Sequence, residues 1–508
     1  MSRLNPLDLP PDEFRRLGHA LVDRIASHLE TLPDRPVTRG ETPAAIRALL
    51  GDGPLPDRGA EPGPLLADTA DMLFEHSLFN GHPRFWGYIT SSPAPLGILG
   101  DLLAAAVNPN VGANVLSPVA TAIERQAVRW TAELLGYPAD CGGIMVSGGN
   151  MANMVAFLAA RRARVGWDVR QRGLHGDARQ LVVYASRETH TWIQKAADLF
   201  GLGLDAIRWI DTDAHQRLRV DALDAAVRAD REAGHLPFIV IGTAGSVSTG
   251  AIDPIADIAA LCKRHELWFH VDGAYGAPAA VLPEAPADLK ALSLADSVAV
   301  DPHKWLYAPL EAGCTLVRDP RHLVDAFSFH PVYYHFADGD GGETPVNFHE
   351  LGLQNSRGFR ALKVWLGLRQ AGREGYIQLI RDDIALTKAL HDAVAAHDEL
   401  EALTLSLGIA TFRYVPPGAK SESDPDSNGH APEYLNELNT ALLTRLQAGG
   451  EAFVSNAVID GRFALRACLV NFRTQREDVE ALPGIVVRLG RALHAEMGRD
   501  GYLAPAGA

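Results

Sequence analysis

Apolar residues recur at Phe14, Leu17, Leu21, Ile25 and Leu29 between Asp12 and Leu32, in steps of three or four, which predicts a helix with one adhesive face. The period is lost from Pro33 to Pro64, where Gly51-Asp52-Gly53-Pro54-Leu55-Pro56 breaks the chain and predicts a loop. An arm laid on a partner subunit and a plain linker both fit that loop. An aromatic cluster follows, His82-Pro83-Arg84-Phe85-Trp86-Gly87-Tyr88-Ile89, whose first reading is core packing and whose second is a pocket wall.

Beyond Leu134 helical and strand-like periods alternate. Helices are predicted over 152–164, 190–200, 221–232 and 254–265, and strands at Leu181-Val182-Val183-Tyr184, Phe238-Ile239-Val240-Ile241, Leu267-Trp268-Phe269-His270-Val271 and Ser297-Val298-Ala299-Val300. Such alternation implies an α/β fold with a mainly parallel sheet covered on both faces, and ligands collect at the ends of its strands. From Arg360 the pattern changes to a long helix reaching His397, strands at 409–415 and 462–470, and a polar loop from Pro416 to Pro432 that includes Ser421 to Gly429. The predicted organisation is an N-terminal helical arm over 1–90, a large domain over 91–365 and a smaller α+β domain over 366–508.

Composition narrows the function. With 47% hydrophobic and 21% charged residues in a chain of 508, this is ordinary globular material. A formal charge of −15 disfavours nucleic acid and anionic membranes as partners, leaving small-molecule chemistry as the default. The four cysteines, Cys141, Cys262, Cys314 and Cys468, are widely spaced and form no metal-binding pattern, so no metal is implied and the thiols read as reduced ones in a cytosolic protein. The N-terminus carries no signal-peptide core, and the longest apolar stretch, Leu96 to Val107, is interrupted by Asp101.

Four features at element ends carry candidate chemistry. Ser147-Gly148-Gly149-Asn150-Met151-Ala152-Asn153 follows Ile144-Met145-Val146 and opens a helix, where small residues and unpaired N–H groups suit a phosphate. His190 follows a strand and could stack on a flat ring or move a proton; a surface histidine is the plainer reading. Asp272 ends an apolar strand, where a carboxylate needs a donor or cation; it could hold a pyridine nitrogen protonated, with small Ala274 lying flat against the ring, or it could cap a helix. Lys304, one strand–helix–strand unit later, lies between an apolar run and Trp305, so that burial could favour the neutral, nucleophilic amine; a snorkelling side chain is the alternative. Together the four describe a site for pyridoxal 5′-phosphate.

The strings His270-Val271-Asp272-Gly273-Ala274-Tyr275, Asp301-Pro302-His303-Lys304-Trp305 and Arg357-Gly358-Phe359-Arg360-Ala361-Leu362-Lys363-Val364-Trp365 resemble those of the group II pyridoxal phosphate-dependent decarboxylases, the aromatic-L-amino-acid decarboxylase family. The resemblance implies a fold type I enzyme with a seven-stranded, mainly parallel sheet, acting as a homodimer with sites at the subunit interface. It implies that Lys304 binds the cofactor covalently, Asp272 partners the ring nitrogen, His190 stacks on the ring, and Gly149 and Asn150 cradle the phosphate. Thr243 and Ala274 lie by the ring, and Asp301 and His303 beside the lysine. Tyr333 matches the loop tyrosine that protonates the substrate carbon, with Gly339 to Gly342 giving that loop its mobility; a phenylalanine there is associated with aldehyde formation. Trp86, Tyr88, Ile89, Ser91, Gly112 and His190 are the implied substrate-pocket residues. The chain departs from aromatic-specific members at Asp301, Asn150, Asn80 and Gly112, where they often carry asparagine, serine and bulky aromatics respectively. The leading expectation is decarboxylation of an aromatic L-amino acid. The alternatives are an aldehyde synthase, a decarboxylase of glutamate, 2,4-diaminobutyrate or cysteine sulfinate, and, from another class, a non-catalytic cofactor-binding protein.

Overall fold

The computed structural model describes residues 5–329, 345–417 and 432–499. Tyr333, Gly339 to Gly342 and Ser421 to Gly429 lie outside the described residues. The strands, in chain order, are β1 (Phe85–Trp86), β2 (Gly142–Val146), β3 (Leu181–Ser186), β4 (Ile207–Ile210), β5 (Leu236–Thr243), β6 (Trp268–Asp272), β7 (Ser297–Val300), β8 (Gly313–Val317), β9 (Leu400–Ser406), β10 (Ile409–Tyr414), β11 (Phe453–Ile459) and β12 (Arg462–Cys468).

A seven-stranded sheet in the order β2-β8-β7-β6-β5-β3-β4 forms the large domain. Its neighbours pair in parallel except β8, which runs antiparallel to both β2 and β7. Val182, Val240, Val271 and Val298 contribute to the core on one face, and Val183, Ile239, Ile241 and Ala299 to that on the other. That two-sided burial is why the predicted strands were unbroken apolar runs. Register matters most for the site: Thr243 pairs with Asp272 and Asp272 with Ala299, so the C-terminal ends of three adjacent strands lie side by side.

The second sheet has five strands in the order β1-β11-β12-β10-β9. Phe85 and Trp86 pair in parallel with Phe453 and Val454, so the end of the N-terminal arm belongs to the small domain's sheet. The long predicted helix is Ala361–Ala395, but it is broken at Gly372, whose φ of 63° only glycine adopts without strain. The 365/366 boundary thus falls inside a helix, and the backbone break lies seven residues further on.

The loop expected over 33–64 is a correction. It contains a helix, Pro43–Leu50, and leads into another, Pro62–His76. Thr42 caps the first, its hydroxyl oxygen accepting the Ala45 N–H at 3.2 Å, and Pro43 starts it. Surrounding glycines and prolines hid this short signal.

Behind the Ser147 turn lies an ion pair with almost no exposure. Arg357 Nη1 donates to Glu124 Oε2 at 3.2 Å and Nη2 to Oε1 at 2.5 Å, with side chains 1% and 0% exposed. The same guanidinium donates to the carbonyls of Val111 and Met145, while Glu124 accepts the Met145 N–H. The pair therefore fixes β2 just before its functional turn. Arg357→Ala would leave Glu124 buried without a cation, and a loss of about 3–5 kcal/mol is expected in denaturant unfolding followed by circular dichroism.

Candidate active site

The C-terminal ends of β2, β3, β5, β6 and β7 surround a cleft of about 340 Å³. Asp272, the last residue of β6, is 7% exposed, and both its oxygens are held: Trp192 Nε1 donates to Oδ2 at 2.8 Å and the Ala274 N–H to Oδ1 at 3.2 Å. The carboxylate is fixed by partners from two elements, and it also faces the cleft.

Beneath it lies a buried chain of polar groups. His270 Nε2 is 2.7 Å from Asn153 Oδ1, an acceptor, so Nε2 carries the proton; Nδ1 accepts from Ser297 Oγ at 2.8 Å, which in turn accepts from Trp268 Nε1. Burial pushes His270 down to about 4. A histidine with a lowered folded pKa binds fewer protons when folded, so its stabilising contribution is full above its unfolded value of about 6.5 and is lost as pH falls towards 4. The stability advantage of the parent over His270→Asn is expected to shrink by up to about 1.4 kcal/mol per pH unit across that window, measured by thermal unfolding at stepped pH. A difference independent of pH would contradict the neutral assignment.

Lys304 follows β7 by four residues. Its Nζ lies 3.0 Å from Asp301 Oδ2, with a side chain 20% exposed. Asp301 thus lies beside the lysine as the resemblance implies: the amine lines the cleft and is paired with a carboxylate that is itself buried. His303 Nδ1 lies 2.7 Å from the Ala312 carbonyl, which turns Nε2 towards Asp301 Oδ2 at 3.8 Å. Burial holds His303 below its ordinary value, against the pull of Asp301.

The Ser147 turn forms the opposite wall. Gly148 has φ 146°, and a Cβ on Gly149 would stand 2.7 Å from Asp301 Oδ2 and 3.2 Å from Ala274 Cβ. Gly148 is required by its backbone angle and Gly149 by close approach. Thr243 is oriented through its backbone: its N–H donates to Asp253 Oδ2 at 2.8 Å while Asp253 Oδ1 takes the Leu218 N–H at 2.7 Å. Two buried oxygens at this edge, Thr243 Oγ1 and Asp301 Oδ1, have no hydrogen-bond partner among the described residues.

The cleft brings together Lys304, Asp272, His190, Gly149, Asn150, Thr243, Ala274, Asp301, His303 and Ile89. His190 is exposed, and its Nδ1 accepts the Trp192 N–H at 3.3 Å. Four expected pocket residues are not in the lining. Trp86 is 0% exposed in the small-domain core, donating to Thr474 Oγ1 at 3.1 Å, because as an edge-strand residue it turns away from the cleft. Tyr88 is 60% exposed beside Phe453. Gly112 packs against the Asn355 carbonyl, where a side chain has no room. Ser91 is buried and acts one step removed, its hydroxyl donating to the His303 carbonyl at 2.9 Å. Sequence reasoning missed Glu188 and Val247 in the lining and Trp192 as the donor to Asp272. Glu188 had a signal, lying two residues before His190; Trp192 is joined to Asp272 only by the fold.

Unpaired oxygens beside a lysine, a glycine cradle that a Cβ would fill and an anchored carboxylate fit pyridoxal 5′-phosphate. Fold and site together define a pyridoxal phosphate-dependent enzyme of fold type I. Residues 43–415 match the pyridoxal-dependent decarboxylase conserved domain. An aromatic-L-amino-acid decarboxylase of Bacillus atrophaeus is 33% identical over 474 residues, 93% of this chain and 94% of that one. The crystal structure of Oryza sativa TDC with PLP and tryptamine superposes with a TM-score of 0.86 at 28% identity, covering 97% of this chain and 100% of that one. Mouse CSAD gives 0.87 at 26% identity, covering 95% and 99%. The chain belongs to the group II pyridoxal phosphate-dependent decarboxylase family and is a carboxy-lyase that uses this cofactor to decarboxylate an L-amino acid. No helix among the described residues is long and apolar enough to cross a membrane.

Proposed function

We propose that the substrate is an aromatic L-amino acid, converted to its amine and carbon dioxide. The observation that carries this is the charge of the cleft. Among the described lining residues the charged groups are Glu188, Asp272, Asp301 and Lys304, with His190 and His303, and there is no arginine to receive a side-chain carboxylate. Ile89, Met151 and Val247 add apolar wall. A substrate such as glutamate or cysteine sulfinate would meet acids without a matching cation, whereas a neutral ring meets no such penalty. The aromatic specificity in the name of the Bacillus atrophaeus relative agrees.

Pyridoxal phosphate, when bound, supplies the electron sink that accepts the pair left as the carboxylate departs. For the residues we propose the following roles. Lys304, whose Nζ lines the cleft, would be the residue that holds the cofactor. Asp272, fixed by Trp192 and Ala274, keeps a proton on the ring nitrogen; an anchored anion needs no reorganisation to do so. Gly149 and Asn150, at the start of the helix Gly149–Arg164, offer N–H groups to the phosphate. His190 and Ala274, both in the cleft lining, would pack against the cofactor's ring, and Thr243 would offer its unpartnered hydroxyl. Asp301 and His303 hold Nζ in place between turns of the reaction. Tyr333 protonates the substrate carbon, which favours amine over aldehyde as product.

The same reading includes a cytoplasmic homodimer. Leu99, Leu102, Leu103 and Val107 on the helix Pro95–Val107, and Phe14, Leu65 and Leu73 on the arm, leave large apolar side chains more than half exposed or close to it. A second subunit would cover them.

Carbon dioxide release across aromatic amino acids, glutamate, cysteine sulfinate and 2,4-diaminobutyrate tests the substrate. An aromatic substrate is expected to lead in kcat/KM by at least about tenfold over glutamate, cysteine sulfinate and 2,4-diaminobutyrate alike, the scale set by one mismatched group. Leading activity on any of those three would overturn the proposal, and aldehyde in place of amine would overturn the role of Tyr333.

A further inference from the structure

The turn that carries Lys304 is held from outside the cleft. Its backbone closes through Lys304 N–H to the Asp301 carbonyl at 2.9 Å and Tyr307 N–H to the Lys304 carbonyl at 3.2 Å, and it ends with Tyr307 at φ 55°. A bulky aromatic residue does not choose that left-handed conformation by itself. Something must hold it there.

The restraint comes from one helix. Beyond the break at Gly372, the helix Ala361–Ala395 meets the three residues that follow Lys304. Trp305 Nε1 donates to Asp383 Oδ2 at 2.8 Å, Tyr307 Oη donates to the same oxygen at 2.7 Å, and Tyr376 Oη donates to the Leu306 carbonyl at 3.2 Å. Asp383, Trp305 and Tyr307 are all 2% exposed or less, so water cannot replace these bonds. Trp305 also stacks on Tyr275, ring centroids 5.1 Å apart at 14°, and Tyr275 lines the cleft three residues after Asp272. The Tyr275 oxygen in turn accepts the Gly408 N–H from the small domain at 2.9 Å.

We infer that Asp383 is a positioning residue for the decarboxylation: by accepting from both Trp305 and Tyr307 it sets where Lys304 Nζ stands relative to Asp272. It touches neither cofactor nor substrate and acts only through the turn. Burial pushes Asp383 up to about 7; an asparagine keeps the shape of the side chain and an oxygen that can accept from Trp305 and Tyr307. The inference rests on Lys304 carrying the cofactor, and loss of the cofactor band in Lys304→Ala tests that premise separately.

The experiment compares holoenzyme Asp383→Leu, Asp383→Asn and Tyr307→Phe with the parent, reading kcat, KM, the circular dichroism of the bound cofactor and the unfolding midpoint. Asp383→Leu is expected to lower kcat by about tenfold or more with KM within about threefold, and to alter the cofactor's circular dichroism. Asp383→Asn is expected to restore kcat to within about threefold of the parent, and Tyr307→Phe to fall between the two. If Asp383→Leu keeps the parent's kcat and cofactor signal while only its unfolding midpoint drops, the residue is structural and the inference fails. It fails equally if Asp383→Asn is no better than Asp383→Leu. Should Asp383→Leu not fold, a parent-like kcat and cofactor signal in Tyr307→Phe overturns it.

Discussion

Replacing Lys304 with alanine is expected to end carbon dioxide release, with kcat down by at least about 10²–10⁴-fold, the range for removing a positioned proton-transfer group alone. The lost covalent anchor adds to that. The visible absorbance of lysine-bound cofactor should vanish in the same preparation. The fold should survive, because Lys304 lines a cleft and contributes no core packing, and its partner Asp301 keeps His303 nearby at 3.8 Å. Absorbance spectroscopy and an unfolding curve on one sample check all three points. Persistence of the band would reassign the anchor, and a collapsed unfolding curve would make the activity loss uninformative about chemistry.

Asp272→Asn is the second large effect. The side chain has two donors, Trp192 Nε1 and the Ala274 N–H, and an amide oxygen can satisfy only one of the two positions while its NH₂ opposes the other. The shape stays and the charge goes. With no anion at the ring nitrogen the electron sink is weakened at the step where charge develops, so kcat should fall by about 10²–10³-fold, the magnitude for one preorganised electrostatic group. KM should move far less, since the substrate's own contacts are unchanged. Steady-state kinetics at saturating cofactor decide it. A variant within a few-fold of the parent would mean that Asp272 serves only to hold the turn before Ala274.

Much of this site could be read from residues in order. Each strand that supplies a site residue is buried on both faces, so β3, β5, β6 and β7 announced themselves as apolar runs. The chemistry sits where those runs stop. Strands that failed to show include Ile207-Arg208-Trp209-Ile210 in β4 and the glycine-led Gly313-Cys314-Thr315-Leu316-Val317 in β8, with mixed or small residues, together with the edge strand β9 and with β11, whose apolar run is broken by Ser455 and Asn456. Pocket walls were harder still. The aromatic cluster reads first as core packing, which Trp86 meets in the small-domain core, while the pocket role that the resemblance implies for Trp86 and Tyr88 is not seen in the lining: the edge pairing with β11 turns one into that core and leaves the other towards solvent. Trp192 and Asp383 carry no local mark at all. Each acts on a residue some 80 positions away, 80 for Trp192 and Asp272 and 78 for Asp383 and Trp305, and only the fold brings such pairs together.

The pairing of Phe85 and Trp86 with β11 also dictates an order of assembly on the ribosome. Trp86 fills the interior of the small domain and binds Thr474, 388 positions downstream. Phe85 and Trp86 must therefore wait, with two large aromatic rings unsatisfied, until β11 and Thr474 have been synthesised. Contacts of such separation are slow to form and leave apolar surface open to other chains meanwhile. A fragment beginning after Trp86 would lack both an edge strand and the largest side chain of that core. Severing the chain there, even far from the cleft, would deprive the small domain of the piece on which it closes.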